Sequence, residues 1–289
     1  MMNLGLGLKV PQQTIMPAGK SAGGGAAYTS TKHISFDGVS EYAQMLVANS
    51  FPNAVGTTGG TISFWIKSDD FVHSNQTRYL TAARSGNFPG PFEFFTIIVT
   101  GGSNSKLQVQ RSNLHFGDSS QNKTWYSIQT TNSVASTLTD NTWHHIAFTT
   151  SVVNAPQWAA AVYINGSAVN ISALSTADAG SSTSQALSSA NQEFGRYLTN
   201  YYDFDYNEIG IWSTPLSATE ISYIYNQGVT GFDLGKDQGD YSSSSDLWSW
   251  HKMGDEDQGS SPNGTPTDPD SSGNNRPLLL FNTPTVETT

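Results

Sequence analysis

Two tyrosines and two aspartates stand close together in residues 202–206, which read YDFDY. Carboxylates accept hydrogen bonds from hydroxyl groups, and aromatic rings stack on the apolar faces of sugars. Tyr202, Asp203, Asp205 and Tyr206 are therefore a candidate ligand-binding set. Tyrosines that merely cover a sheet edge, with the hydroxyl in water, are the alternative interpretation.

Glu208 extends this run to an acidic triplet with Asp203 and Asp205, of the form D-x-D-x-x-E. Retaining glycosidases need two carboxyls about 5 Å apart, a separation that alternate residues of one strand can supply. The spacing is compatible with hydrolysis of a glycosidic bond, but a solvated acidic loop has the same composition.

Four further aspartates lie in acidic turns near the C-terminus, at Asp255, Asp257, Asp268 and Asp270. Calcium prefers carboxylate and carbonyl oxygens, so these are the candidate metal positions. None has the full ligand spacing of a defined calcium loop, and solvated turns are the alternative. No cofactor is required by the sequence, and calcium is the one ion that it suggests.

A strand and a short helix must position the run at 202–208. Alternation over residues 206–212 predicts a half-buried strand with Ile209 and Ile211 on its apolar face. The opposite face is expected to carry the other side chains of the alternation, Tyr206, Glu208, Gly210 and Trp212.

The helix is predicted from its two ends. Ser217 and Glu220 have the spacing of a capping box, which places the helix near residues 217–227. Gly228 suits a left-handed position just after the last turn.

The composition predicts an all-β fold. The 289 residues are 36% hydrophobic but only 12% charged, and short alternating runs lie between clusters of Gly, Asn and Ser. Asn165-Gly166 is the pair expected in a two-residue hairpin turn. The absence of cysteine excludes disulfides and thiolate metal sites.

Charge and hydropathy exclude two classes of partner. A formal net charge of -10 argues against a nucleic-acid surface, which needs clustered Lys and Arg. No run of 18 apolar residues occurs, so no membrane partner and no transmembrane segment are predicted. The N-terminus lacks a charged segment followed by an apolar core, so no secretory signal is predicted either.

Four segments in order resemble laminin G-like and concanavalin A-like lectin domains. They are residues 33–38 (HISFDG), 61–67 (TISFWIK), 141–149 (NTWHHIAFT) with 161–166 (AVYING), and 202–228. The resemblance covers about residues 33–232 and implies a two-sheet antiparallel jelly-roll sandwich, concanavalin A-like, with one short helix. It also suggests a cell-surface glycan as a partner.

Laminarinase-type glucanases share this architecture and use an acidic triplet E-x-D-x-x-E on one strand. Here the first position is Asp203 rather than Glu, and Glu208 belongs to a strand that non-catalytic members also have. We therefore expect no enzymatic activity.

The flanks depart from the resemblance. Residues 1–32 form a predicted extended arm, and residues 233–289 a C-terminal extension with a strand at 246–253 (DLWSWHKM). That strand is similar to the opening of a laminin G-like domain, as if the order were circularly permuted. It is expected to complete the sheet of this chain or of a neighbouring subunit.

The flanks and the domain together resemble a marine bacteriophage virion structural protein. This resemblance implies a non-enzymatic component of the virion surface, a capsid decoration or fibre protein anchored to other virion proteins, or to further copies of itself, by its termini. The alternative is a secreted or cell-surface carbohydrate-binding module. A laminarinase-type glycoside hydrolase is a remote second alternative.

Overall fold

The computed structural model describes residues 28–55, 59–85, 92–114, 123–152, 158–177 and 191–289. Most of the predicted N-terminal arm, residues 1–27, lies outside these ranges. The strands, in chain order, are β1 (Lys32–Ser35), β2 (Tyr42–Met45), β3 (Gly60–Lys67), β4 (Arg78–Ser85), β5 (Phe92–Val99), β6 (Leu107–Leu114), β7 (Lys123–Thr130), β8 (His144–Val152), β9 (Trp158–Ile164), β10 (Ser167–Ala168), β11 (Ile171–Ala177), β12 (Asn191–Phe194), β13 (Arg196–Tyr197), β14 (Asn200–Tyr201), β15 (Asp205–Trp212), β16 (Leu247–His251), β17 (Gly259–Ser260), β18 (Pro266–Asp268), β19 (Leu278–Phe281) and β20 (Thr285–Thr288). The α-helices are α1 (Phe51–Val55), a single turn, and α2 (Ala218–Asn226).

Two antiparallel sheets form a sandwich. The eight-stranded sheet has the order β10-β9-β8-β3-β15-β1-β20, and β16 also pairs with β15. The ten-stranded sheet has the order β11-β7-β6-β5-β4-β12-β2-β19-β18-β17. The predicted all-β two-sheet sandwich with one short helix is confirmed, and α1 is a single additional turn.

Helix α2 begins where its cap predicts. The Ser217 hydroxyl accepts a hydrogen bond from the Glu220 backbone N–H, and the Glu220 carboxylate accepts one from the Ser217 N–H, so the capping box is present. After the last turn Gly228 takes a φ of +76°, a left-handed value that glycine adopts readily. Among the described residues, no helix is long and apolar enough to cross a membrane.

Strand β15 differs from the predicted alternation. Its register with β3 shifts between Asn207 and Gly210, and Glu208 has a φ of +50°. Such a bulge moves the following side chains to the other face. The prediction that Tyr206 shares a face with Glu208 is therefore wrong, because Tyr206 lies with Ile209 and Ile211 in the core between the sheets.

Two apolar clusters hold the layers together. The larger one fills the space between the sheets and includes Ile62, Phe64, Phe95, Phe148, Tyr206, Ile209 and Leu280. The smaller one joins α2 and the chain that follows it to the eight-stranded sheet, through Tyr163, Trp212, Leu216, Ile221, Ile224, Phe232 and Trp250.

Residues after 232 contribute strands to both sheets of the same chain. Strand β16 pairs with β15 and β20 pairs with β1 in the eight-stranded sheet, while β19 pairs with β2 in the ten-stranded sheet. Strand β16, which lies within the predicted strand at 246–253, thus adds to a sheet of its own chain.

Candidate functional site

One end of the sandwich gathers six connecting segments, which we call the loop end. In the eight-stranded sheet, the ends of β1 and β3 lie beside the starts of β15 and β8. The register shows this, because Ser35 pairs with Asp205, Asp205 with Lys67, and Ile66 with His144. In the other sheet, Val99 pairs with Arg78 and with Leu107. The loop end consists of residues 36–41, 68–77, 100–106, 131–143, 165–170 and 195–204.

Backbone hydrogen bonds fasten these loops to one another. The donors and acceptors are Asn141 N to Ser68 O (2.7 Å), Gly102 N to His73 O (3.0 Å), Val134 N to Ser105 O (2.8 Å) and Thr131 N to Asn170 O (2.8 Å). A side chain adds one more link, because the Phe71 N–H donates to the Asp140 carboxylate at 2.9 Å. Loops held in this way on a rigid scaffold are the usual place for a binding surface.

Asp203 lies at the rim of the loop end. Its carboxylate forms an ion pair with Arg78, with an N to O distance of 2.6 Å, and 43% of its side chain is exposed. Burial of the rest and the neighbouring Asp69 carboxyl raise the pKa of Asp203, while the charge of Arg78 opposes that rise. The Arg78 guanidinium in turn lies 5.5 Å from the ring centre of Tyr202.

Asp205 is paired inside the eight-stranded sheet. Its carboxylate lies 2.7 Å from the Lys67 ammonium and 3.5 Å from the His33 ring. Burial acts to raise the pKa of Asp205, but hydrogen bonds from His33, Lys67 and Ser35 lower it to about 2. Asp205 is therefore a carboxylate whose charge is already neutralised by the chain.

The two tyrosines of the predicted set are buried. Tyr202 is 6% exposed, and burial raises the pKa of its hydroxyl to about 12. Tyr206 is fully buried, and its hydroxyl donates a 2.5 Å hydrogen bond to the Leu80 carbonyl. The structure thus brings Tyr202 and Asp203 to the rim around Arg78, whereas Tyr206 belongs to the core and offers no ring face to a ligand.

The buried Glu208 carboxyl accepts two hydrogen bonds from other side chains. The Tyr28 hydroxyl donates to its Oε1 at 2.6 Å, and the Trp250 indole N–H donates to its Oε2 at 2.7 Å. Burial raises the pKa of Glu208 to about 8, although both hydrogen bonds favour the carboxylate. Gly231 covers this side chain, and a β-carbon there would stand 2.8 Å from the Glu208 Cδ.

The acidic triplet is consequently spread over three separate environments. Asp203 is paired with Arg78, Asp205 with Lys67, and Glu208 with Tyr28 and Trp250. Within the described residues, these three carboxyls share no hydrogen-bond partner.

The candidate calcium residues are mostly engaged by protein donors. Asp255 accepts from Ser30 and Thr31, Asp268 from the backbone of Met253 and Gly254, and Asp270 from the backbone of Trp250, Ser272 and Arg276. Asp257 is exposed. In the described part of the chain, no three His, Cys, Asp or Glu side chains are grouped so that they could hold a metal ion. Calcium at these positions stays a prediction.

The loop end also contains a cleft that the sequence did not single out. It has a volume of about 250 Å³ and is lined by Thr130, Thr131, Asn132, Ser133, Val134, Thr137, Ile164, Ala168, Val169 and Asn170. The hairpin turn beside it is the predicted Asn165-Gly166 pair, with φ values of +51° and +72°. The sequence does not distinguish the residues that line the cleft, because Ser, Thr and Asn are common throughout this chain and the two lining segments are far apart in sequence.

Comparisons with solved structures agree with this architecture. A protein from Bacteroides ovatus, provisionally described as carbohydrate-binding, is 16% identical with a TM-score of 0.53, and the match covers 90% of this chain. The chain spans 60% of the length of that protein. At this identity the likeness shows the fold alone.

Two further structures are more distant. A heptameric SAP-like pentraxin from Limulus polyphemus has 16% identity and a TM-score of 0.44, over 68% of this chain and 82% of its own. The binding domain of botulinum neurotoxin DC, in complex with SialylT, has 16% identity and a TM-score of 0.41, and the match covers 61% of this chain and 36% of that one. No curated protein matches the chain.

The family itself is identified by a sequence model. Residues 37–222 match the model described as the concanavalin A-like lectin/glucanases superfamily. The matched segment is more than half of the 289 residues. The resemblance seen in the strand motifs is thereby confirmed. The chain belongs to the concanavalin A-like lectin/glucanase superfamily.

Proposed function

We propose that this chain is a non-enzymatic carbohydrate-binding domain that binds its glycan at the loop end. The observation that carries this proposal is a surface of uncharged hydroxyl and amide side chains on loops that are hydrogen-bonded to one another. The exposed members include Ser74, Asn75, Gln76, Ser103, Asn104, Thr131, Asn132, Thr137, Asn141, Thr142, Asn170 and Asn200.

Such a surface suits a sugar ligand. Amides and hydroxyls both donate and accept, as sugar hydroxyls do, so neither partner loses hydrogen bonds on leaving water. Because the loops are already fixed to each other, little conformational entropy is lost when a ligand binds. The provisional description of the Bacteroides ovatus protein, whose fold this chain shares, supports the same function.

Catalysis is not part of the proposal, because the acidic triplet has no catalytic arrangement. A glycosidase needs one carboxyl to protonate the leaving oxygen and a second carboxylate across the scissile bond. Here Asp205 is bound by Lys67, and Glu208 is 6% exposed beneath Gly231. Neither presents its carboxyl to a substrate.

The predicted virion role has less support. None of the relatives named above is described as a virion protein, and the N-terminal arm on which that prediction depends lies mostly outside the described residues. The resemblance to phage structural proteins stays a prediction, and glycan binding is compatible with it.

A glycan array and an activity assay together test the proposal. The purified full chain is applied to printed glycans, with the heat-unfolded chain as control, and the glycans that bind are then incubated with the chain in solution. We expect binding by the folded chain only, with no new reducing ends. Absence of binding to every glycan, or cleavage of a bound one, would contradict the proposal.

A further inference from the structure

We infer that the cleft between residues 130–137 and 164–170 is the primary sugar site and that it takes one uncharged sugar ring. This inference rests on the proposed function and adds the location and the ligand class.

Several polar side chains of the cleft are free to bind a ligand. Asn132, Asn170, Thr131 and Thr137 are exposed, and their side chains make no hydrogen bond with any other described residue. An amide offers two N–H donors and a carbonyl acceptor, a set that matches neighbouring sugar hydroxyls. The carboxylates of Asp203 and Asp205, by contrast, are already occupied by cations of the chain.

The floor of the cleft is apolar. Val134 and Ile164 are each only 3% exposed, and Val169 and Ala168 complete the surface. Apolar walls with a few placed polar groups are the usual composition of a small-molecule site. The C–H face of a sugar ring can pack on this floor while its hydroxyls reach the amides at the rim.

Both walls of the cleft are fixed before any ligand binds. Thr131 N donates to Asn170 O at 2.8 Å, which joins the two walls, and Val134 N donates to Ser105 O at 2.8 Å. The Lys106 ammonium donates to the Thr131 carbonyl at 2.5 Å. Preorganisation of this kind favours binding because the loops need not be ordered by the ligand.

The charge of the site selects neutral ligands. None of the ten lining residues is titratable, and the ammonium of Lys106 is directed to a backbone carbonyl of the wall. The chain as a whole carries a formal net charge of -10, whose field repels anions. We therefore expect binding of neutral sugars to depend little on salt or pH.

The size of the cleft sets the extent of the ligand. Its volume of about 250 Å³ is below the roughly 300–1,000 Å³ of sites for drug-sized molecules, so it fits one ring of a longer glycan. Because the lining includes no aromatic ring, we expect a single sugar to bind weakly, with a Kd of about 1 mM.

Two matched substitutions on strand β10 test the location. Ala168 lines the cleft and Ser167 beside it does not, and both are exposed, so neither substitution should disturb folding. The full chain, Ala168→Phe and Ser167→Phe are titrated by ligand-observed NMR with neutral methyl pyranosides and with glucuronate and N-acetylneuraminate. Asn132→Ala and Asn170→Ala test the amides, with Asn263→Ala, at an exposed amide outside the loop end, as control.

The outcomes separate this inference from the proposed function. We expect a neutral pyranoside to bind the full chain and Ser167→Phe alike, and to bind Ala168→Phe and the two amide variants about tenfold or more weakly. Equal binding by Ala168→Phe would overturn the location, while the glycan array would still support carbohydrate binding. Preference for an acidic sugar would overturn the ligand class, and a chain that binds neither pyranosides nor arrayed glycans would contradict the proposed function itself.

Discussion

At the scale of single residues, Glu208 combines burial with two hydrogen bonds at a left-handed backbone position. Burial raises its pKa to about 8 from an ordinary value of 4.5. A carboxyl with a raised pKa favours folding while it is protonated, so its contribution is complete below pH 4.5 and is lost as the pH rises through 8.

Between pH 7 and pH 9 we therefore expect the chain to lose about 1 kcal/mol of unfolding free energy through Glu208. Thermal melts at both pH values measure this loss, which should be smaller in Glu208→Gln. The buried His145 and His251 have lowered pKa values, about 3 and about 4. Their contributions to the unfolding free energy therefore change with pH only below about pH 6.5, outside the range from pH 7 to pH 9.

Asp257→Asn is the control for this pH dependence, because Asp257 is an exposed carboxyl. It should show the same difference between pH 7 and pH 9 as the unchanged chain. An undiminished difference in Glu208→Gln would show that Glu208 does not titrate in this range.

Tyr206 illustrates how burial assigns a residue to the scaffold. Its hydroxyl donates to the Leu80 carbonyl from a fully buried position, so Tyr206→Phe removes one buried hydrogen bond. We expect a loss of about 1–2 kcal/mol of stability, measured by denaturant unfolding, and unchanged glycan binding.

Tyr225→Phe is the matched control, because the Tyr225 ring stacks on Trp65 and its hydroxyl makes no hydrogen bond within the described residues. It should change stability little. Weakened glycan binding by Tyr206→Phe, with normal folding, would return Tyr206 to the binding site.

At the scale of elements, α2 depends on its first turn. The Glu220 carboxylate accepts from Ser217 and also from Ser242 and Ser243, so one side chain joins the helix start to the chain that follows the helix. Ser217→Ala removes the capping hydroxyl, and we expect it to lower the unfolding free energy by about 1 kcal/mol, measured by denaturant unfolding. Thr219→Ala, at an exposed helical position, is the control and should be neutral or slightly stabilising.

The C-terminal extension supplies strands whose loss the sandwich should not tolerate. Strands β16, β19 and β20 pair with β15, β2 and β1, and Trp250, Leu278 and Leu280 are 0–2% exposed. A chain that ends at residue 232, the predicted domain boundary, should show no cooperative thermal transition by circular dichroism. A cooperative transition in this truncated chain would instead show that the predicted domain, residues 33–232, folds without the C-terminal extension.

At the scale of the whole molecule, the fold was accessible from the sequence because its signals are local. The capping box at Ser217 and the turn at Asn165-Gly166 each lie within a few residues, and both are present in the structure. The bulge in β15 depends on more distant contacts. Asn207 accepts from the Glu208 N–H and donates to the Ser30 hydroxyl, a contact that no pattern within the strand reveals.

The candidate site was only partly accessible for the same reason. The mixture of tyrosine and aspartate at 202–206 suggested rings available to a sugar, but Tyr206 is buried, and the bulge lets it share the core face with Ile209 and Ile211. The cleft joins Thr131 and Asn170, which lie on two loops separated by strands β8 to β10. Ordinary polar residues become a candidate site only when the fold brings such loops together.

A crystal structure of the full chain with a bound neutral glycan would locate the sugar site directly. We predict one sugar ring in the cleft, with hydroxyls within hydrogen-bond distance of the Asn132 and Asn170 amides and the C–H face on Val134. A glycan bound at another surface, with the cleft empty, would contradict sugar binding in the cleft.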